Sequence, residues 1–183
     1  MLTNFTYING TKWDVFLLCH SSTSPSLYKK DNIFRLGPND ANQGKEIAKK
    51  MWSGGIRLVV PIFRDDCHGN ELYNFMKVNF EKFGGKISKD QVKYNPHVGK
   101  FAASLHRINF IMWDPELKSL NEALENAKQQ SPNITSNNIG VYIISYGEII
   151  PILLQAPLHT GLDYVRWYGS DEIAKNEHIL EYL

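Results

Sequence analysis

The sequence lacks a surplus of charge of either sign: 20 lysines and arginines stand against 19 aspartates and glutamates, for a formal net charge of +1. With no basic field to neutralise phosphates, nucleic acid is not expected as a partner. Cysteine is scarce, with two among 183 residues, Cys19 and Cys67, too few for a disulfide framework. No apolar run approaches the roughly 20 residues of a membrane helix, and Val15-Phe16-Leu17-Leu18 is only strand-length. The opening Met1-Leu2-Thr3-Asn4-Phe5-Thr6 has neither the basic nor the apolar region of a signal peptide, so the chain as it stands is expected to be cytoplasmic. An ordinary hydrophobic content of 43% excludes disorder.

Chemical fingerprints are missing too. Neither G-x-G-x-x-G nor a Walker loop follows a strand-like run, and no G-x-S-x-G elbow is present, so no nucleotide or other cofactor is expected. Cys19-His20 and Cys67-His68 carry zinc-ligand types, but adjacent side chains diverge, and no metal is expected.

What is present is alternation. Apolar, β-branched runs at Val15 to Cys19, Ile56 to Phe63, Ile139 to Ile144 and Tyr164 to Tyr168 read as strands, with a weaker alternating segment from Lys86 to Tyr94. Between them lie helical patterns. One starts at Asp40 as N-cap, with Gln43 at capping-box spacing, and stops at Gly54-Gly55. Another runs from about Asn70, with Leu72, Phe75, Met76, Phe80 and Phe83 on one stripe, to Gly84-Gly85. A third opens at Asp114-Pro115 and turns Leu117, Leu120, Leu124 and Ala127 inward, and a bent one spans Glu148 to His159. Ser131 to Asn138 reads as a mobile polar loop. Strand, helix, strand, helix predicts an α/β fold of three layers, α-β-α, around a mainly parallel sheet.

Ligands of such sheets sit outside the carboxyl ends of the strands. Four stretches fall there: His20 to Pro25, Arg64 to Gly69, Ser145 to Glu148 and Gly169 to Glu172. Hydroxyls and backbone N–H groups of the first suit a carboxylate, Asp171 suits an ammonium, and His68 and Tyr146 suit stacking or hydrogen bonding to whatever lies between. Plainer readings stand beside these: a turn before Pro25, a solvated loop end at Asp65-Asp66, and half-buried core for Tyr146.

Ser21-Ser22-Thr23-Ser24-Pro25-Ser26-Leu27, Asp31-Asn32-Ile33-Phe34-Arg35, Pro38-Asn39-Asp40-Ala41-Asn42-Gln43-Gly44, Arg64-Asp65-Asp66-Cys67-His68-Gly69, Phe83-Gly84-Gly85 and Val165-Arg166-Trp167-Tyr168-Gly169-Ser170-Asp171, in this order, resemble the type I periplasmic binding proteins. These are the branched-chain amino-acid (Leu/Ile/Val) substrate-binding proteins of ABC transporters, extracellular ligand-binding receptors. The resemblance spans residues 17 to 175. It implies one lobe of a clamshell that closes over a small ligand. It assigns the ligand carboxylate to Ser22 and Thr23, the cleft-lining position before glycine to His68, a further cleft contact to Tyr146, and the ligand ammonium to Asp171. Histidine at position 68, where the family has an aromatic, departs from an aliphatic amino-acid site.

Most of the family's first lobe and its final strands have no counterpart here. Residues 1–38 then read as a remnant of the first lobe and hinge, and residues 39–183 as the second α/β lobe. The implied function is non-enzymatic binding of a small polar molecule such as an amino acid or amide, with ABC permease subunits as partners of a complete receptor. The family is extracytoplasmic or membrane-anchored. An apolar face left by the missing lobe predicts a homo-oligomer. The alternative is a sensor or interaction module of the same fold that acts through oligomerisation. A hydrolase using His68, Asp66 and Cys67 ranks last, for want of an activated nucleophile.

Overall fold

All seven residues from Leu58 to Arg64 are buried, as are all six from Ile139 to Ile144, which requires strands covered on both faces. The computed structural model describes residues 7–8, 11–12, 17–19, 23–25, 33–96, 114–146 and 165–174. In chain order the strands are β1 (Tyr7–Ile8), β2 (Thr11–Lys12), β3 (Leu17–Cys19), β4 (Ile33–Arg35), β5 (Leu58–Arg64), β6 (Lys86–Ile87), β7 (Val92–Tyr94), β8 (Ile139–Ile144) and β9 (Arg166–Gly169). The helices are α1 (Asp40–Ser53), α2 (Cys67–Lys82), α3 (Asp114–Gln130) and the single turn α4 (Asp171–Ala174).

Five strands form one wholly parallel sheet in the order β6-β5-β8-β9, with β7 following β6 along the same edge of β5. Side chains alternate across it. Leu58, Val60 and Ile62 of β5 and Ile139, Val141 and Ile143 of β8 pack with α3 on one face. Val59 and Phe63, with Tyr142 and Ile144, pack with α1 and α2 on the other. The expected three-layer α/β architecture is therefore observed. Leu117, Leu120, Leu124 and Ala127 point inward from α3 as their spacing demands. Pro61, inside a buried strand, lies where the edge partner changes. Arg57 and Val59 accept bonds from Lys86 and Ser88 of the β6 segment, while β7 pairs only from Ile62. The missing N–H of Pro61 thus faces the gap between β6 and β7.

Several boundaries differ from the sequence reading. The N-cap of α1 is Asn39, not Asp40: its extended backbone lets its side chain accept from Asn42 N–H, and Asp40 becomes the first helical residue. Helix α2 begins at Cys67 rather than near Asn70, because the Asp66 carboxylate accepts from Gly69 N–H. Ile56 is not in the strand; Gly55, at φ +87°, turns the chain so that Ile56 N–H bonds back to Met51. The Lys86 to Tyr94 segment is two short strands rather than one. Ser131 to Asn138 is no free loop, since it holds a 3-10 turn over Ser136–Asn138 and Asn138 donates to Gly55 C=O. The short pair β3-β4, also parallel, was not foreseen on its β4 side. The beginning of the first expected strand, Tyr164 and the Glu148 to His159 helix lie outside the described residues.

Candidate functional site

The carboxyl ends of β5, β8 and β9 converge with the amino ends of α1 and α2. Gly69 makes the first junction possible. A Cβ there would sit 2.0 Å from the Arg64 carbonyl oxygen, so only glycine lets the first turn of α2 fold this closely onto the end of β5. Arg64 Nε donates to Asp66, the residue that caps α2. At the next two strand ends Ser145 and Ser170 lock together. Ser170 Oγ donates to Ser145 C=O at 3.1 Å and accepts from Ser145 N–H at 3.4 Å, and Tyr94 donates to Ser145 Oγ at 2.6 Å. Both serines are buried, which fixes the neighbouring Tyr146 and Asp171.

On this frame the His68 and Tyr146 rings stack, with centroids 5.3 Å apart and planes 14° from parallel. The Arg64 guanidinium lies 4.0 Å from the Tyr146 ring centre. Burial, as the first cause, pushes the Tyr146 phenol above its ordinary pKa, against the lowering effect of Arg64.

Asp40 stands at the centre of the arrangement. Its N–H donates to Thr23 C=O at 3.0 Å, and Arg35 donates to the carbonyls of Thr23 and Ser24, so the loop after β3 is tied to the start of α1. Asp40 Oδ2 faces His68 Nδ1 at 3.7 Å, with the carboxylate almost wholly buried. That carboxylate is the main reason the His68 pKa is raised; burial and Arg64 oppose it, and Asp66 adds to it. One helical turn on, Gln43 donates to Asp171 Oδ1. Three buried polar atoms here have no hydrogen-bond partner among the described residues: Asp40 Oδ1, His68 Nε2 and the Tyr142 hydroxyl. Tyr142 is pushed well above the ordinary phenol range, first by burial and then by the charges of Asp171 and Asp40.

Of the residues singled out from sequence, Ser22 lies outside the described residues. Thr23 and Asp171 line one cavity of about 210 Å³ with Pro38, Asn42, Gln43 and Glu46. His68 and Tyr146 form the stack, and Asp40 and Gln43 connect the two pairs. Sequence reasoning missed Asp40 as more than a capping residue, Gln43 as the partner of Asp171, and Tyr142 altogether. The one signal for Asp40 was its position at a helix start facing a strand end. Cys67 sits exposed at the start of α2, and its thiol is pushed up in pKa chiefly by Glu71, so it is held as thiol rather than thiolate. Among the described residues no three His, Cys, Asp or Glu side chains gather as a metal site would need.

No family model matches the chain. An uncharacterized protein of Methanocaldococcus jannaschii is 25% identical over 182 residues, covering 96% of this chain and 38% of that protein. Among solved structures, an ABC transporter substrate-binding protein from Desulfitobacterium hafniense superposes with a TM-score of 0.59 at 20% identity, covering 85% of this chain and 39% of that one. Another from Sphaerobacter thermophilus gives 0.57 at 18% identity, covering 84% and 38%. At this identity the likeness is one of fold. The chain spans about two fifths of the length of each of these proteins.

Proposed function

We infer that the protein is the ligand-binding lobe of a substrate-binding component of an ABC-type transporter, and that it takes a small polar, amino-acid-like molecule without transforming it. One observation carries this reading. The His68-Tyr146 stack and the cavity shared by Thr23 and Asp171 lie together at the carboxyl ends of parallel strands, joined through Asp40 and Gln43. In this reading residues 39–183 are the second lobe, Ser22 and Thr23 receive a carboxylate, Asp171 an ammonium, and His68 and Tyr146 the body of the ligand. A binding rather than catalytic role is supported by the protonated state favoured for Cys67, which leaves that thiol without activation among the described residues.

In a clamshell each lobe supplies part of the affinity, so this lobe alone is expected to bind weakly and a complementary lobe to tighten that binding. The partners are therefore a complementary lobe, permease subunits of the complete receptor and, through the exposed Leu18 and Phe34 on β3-β4 and Leu36 just after β4, a second copy of the chain. Thermal denaturation against a panel of amino acids, amides and short polar metabolites tests the reading, with sedimentation recorded alongside. A concentration-dependent rise in Tm with one ligand class is expected. A flat response across the panel, with the chain folded, would overturn it.

A further inference from the structure

We propose that the outer edge of β6 is a docking edge for an extended acidic segment of another protein, which adds to the sheet as a further strand. The proposal does not depend on the transport reading. Strand β6 is the last in the order β6-β5-β8-β9, and Lys86 pairs with Leu58, the first residue of β5, so this edge lies away from the site at Arg64. The Lys86 and Ser88 N–H groups donate to the carbonyls of Arg57 and Val59, both at 2.8 Å. Backbone groups alternate in direction along a strand, so the N–H and C=O of Ile87 point outward, where no described residue pairs with them. A strand edge in this state is a template for another strand.

Both neighbouring helices stop short of covering it. Gly84, at φ +91°, follows the end of α2. Gly85, where a Cβ would lie 2.3 Å from the Phe80 ring, then brings the chain tightly back into β6. Helix α3 ends at Gln130. A cleft of about 520 Å³ opens between them. Glu81 and Gly85 line it from the side of α2, Ala127, Gln130 and Ser131 from the side of α3, and the residues from Lys86 to Lys89 along the edge itself. Leu58 and Ala127, both buried, give it an apolar floor.

The charges select the occupant. Lys86 and Lys89 are exposed, and their ammonium groups have no partner among the described residues. Glu81 is the one acid in the lining; Asp90, the next residue along, does not line the cleft, and its carboxylate accepts from Asn126. Lysines on an edge repel a second copy of that edge, which excludes pairing of this chain with itself here. The same lysines attract a strand that carries carboxylates, and alternation of its side chains would place every second one toward them.

The probe is an acetylated and amidated heptapeptide of alternating valine and aspartate, added at low salt to the full chain labelled with heavy nitrogen at isoleucine. The Ile87 amide is followed by NMR and identified by its loss in Ile87→Val. The expected result is a saturable downfield shift of that amide and a slowing of its hydrogen exchange by about fivefold or more. The peptide with lysine in place of aspartate should leave the amide unchanged. The double variant Lys86→Glu, Lys89→Glu, altered only at exposed side chains, should bind the aspartate peptide roughly tenfold more weakly. An unmoved Ile87 amide, an equal response to both peptides, or an affinity indifferent to the double variant would overturn the proposal. So would equal slowing by acetylaspartate methylamide at the same carboxylate concentration, which would make the cleft an anion site and not a strand edge.

Discussion

The two ends of the central sheet are built from similar residues and treated in opposite ways. At the amino ends of the strands, polar groups are matched. Asn138 donates to Gly55 C=O and accepts from Thr135; Arg57 donates to the carbonyls of Trp52 and Ile56 and covers the Trp52 ring; Arg166 reaches the carbonyls of Gly54 and Asn137. At the carboxyl ends, Asp40, His68 and Tyr142 each keep a buried atom unmatched, as Tyr73 of α2 and Glu116 and Asn121 of α3 also do among the described residues. A fold that satisfies one end so thoroughly is capable of satisfying the other. The difference teaches that the base of the sheet is closed by its own hydrogen bonds, whereas the mouth is where the binding site proposed above would lie.

The largest effect expected anywhere tests whether the mouth is loose in its backbone as well as in its polar atoms. Gly69→Ala places a methyl 2.0 Å from Arg64 C=O and 2.8 Å from Arg64 Cγ, and neither the strand end nor the helix start has room to yield. A loss of about 3 kcal/mol or more is expected in urea denaturation. A loss below about 1 kcal/mol would mean that the junction gives way easily and that the mouth is soft throughout.

Next comes the base. Asn138→Ala removes a side chain that bridges Gly55 and Thr135 and leaves the Gly55 carbonyl without that donor. The expected cost is about 1–2 kcal/mol. An unchanged urea midpoint would erase the contrast between the two ends from the side of the base.

A smaller effect separates the ends by pH. The His68 pKa is raised above its ordinary 6.5 by the Asp40 carboxylate. For a group raised in the folded state, the stabilisation is complete below the unfolded value and is lost as pH rises through the folded one. Stability should thus fall as pH climbs above about 6.5 and through the raised folded-state value, and this fall should flatten in Asp40→Asn. A slope that persists in Asp40→Asn would assign it to some other group.

Much of this architecture could be read before any coordinates. Strands β5 and β8 stand out as apolar, β-branched runs, and α3 announces itself through Pro115 and four inward positions. The mouth was legible only in outline. Pro38-Asn39-Asp40 holds two adjacent capping types, and the choice between them depends on the extended backbone of Asn39, which spacing does not encode. Choosing Asp40 as the cap hid its real environment, facing His68. Tyr142 sits in the middle of Ile139-Gly140-Val141-Tyr142-Ile143-Ile144 and reads as core, which its ring is. That its hydroxyl has no partner depends on what α1, α2 and α4 bring near it, and so belongs to tertiary structure alone. Likewise β4 is too short and too interrupted by Arg35 to register as a strand until β3 pairs with it.

The smallest effect is the most telling, because it is expected to be nearly nothing. A buried hydroxyl that bonded to the protein would cost about 1 kcal/mol or more to remove, since its partner would be left behind unmatched. The Tyr142 hydroxyl has no such partner among the described residues, and its ring packs with Phe63, Ile144 and their neighbours whether or not it carries an oxygen. Tyr142→Phe should therefore change the unfolding free energy by less than about 0.5 kcal/mol, or raise it. Compared with Asn138→Ala at the other end of the same sheet, this pair asks one question of two buried polar groups: does the fold depend on the group? A clear loss in Tyr142→Phe would make its hydroxyl a structural bond like those at the base. A neutral or stabilised variant would mean that the oxygen is kept at the mouth for a reason other than folding.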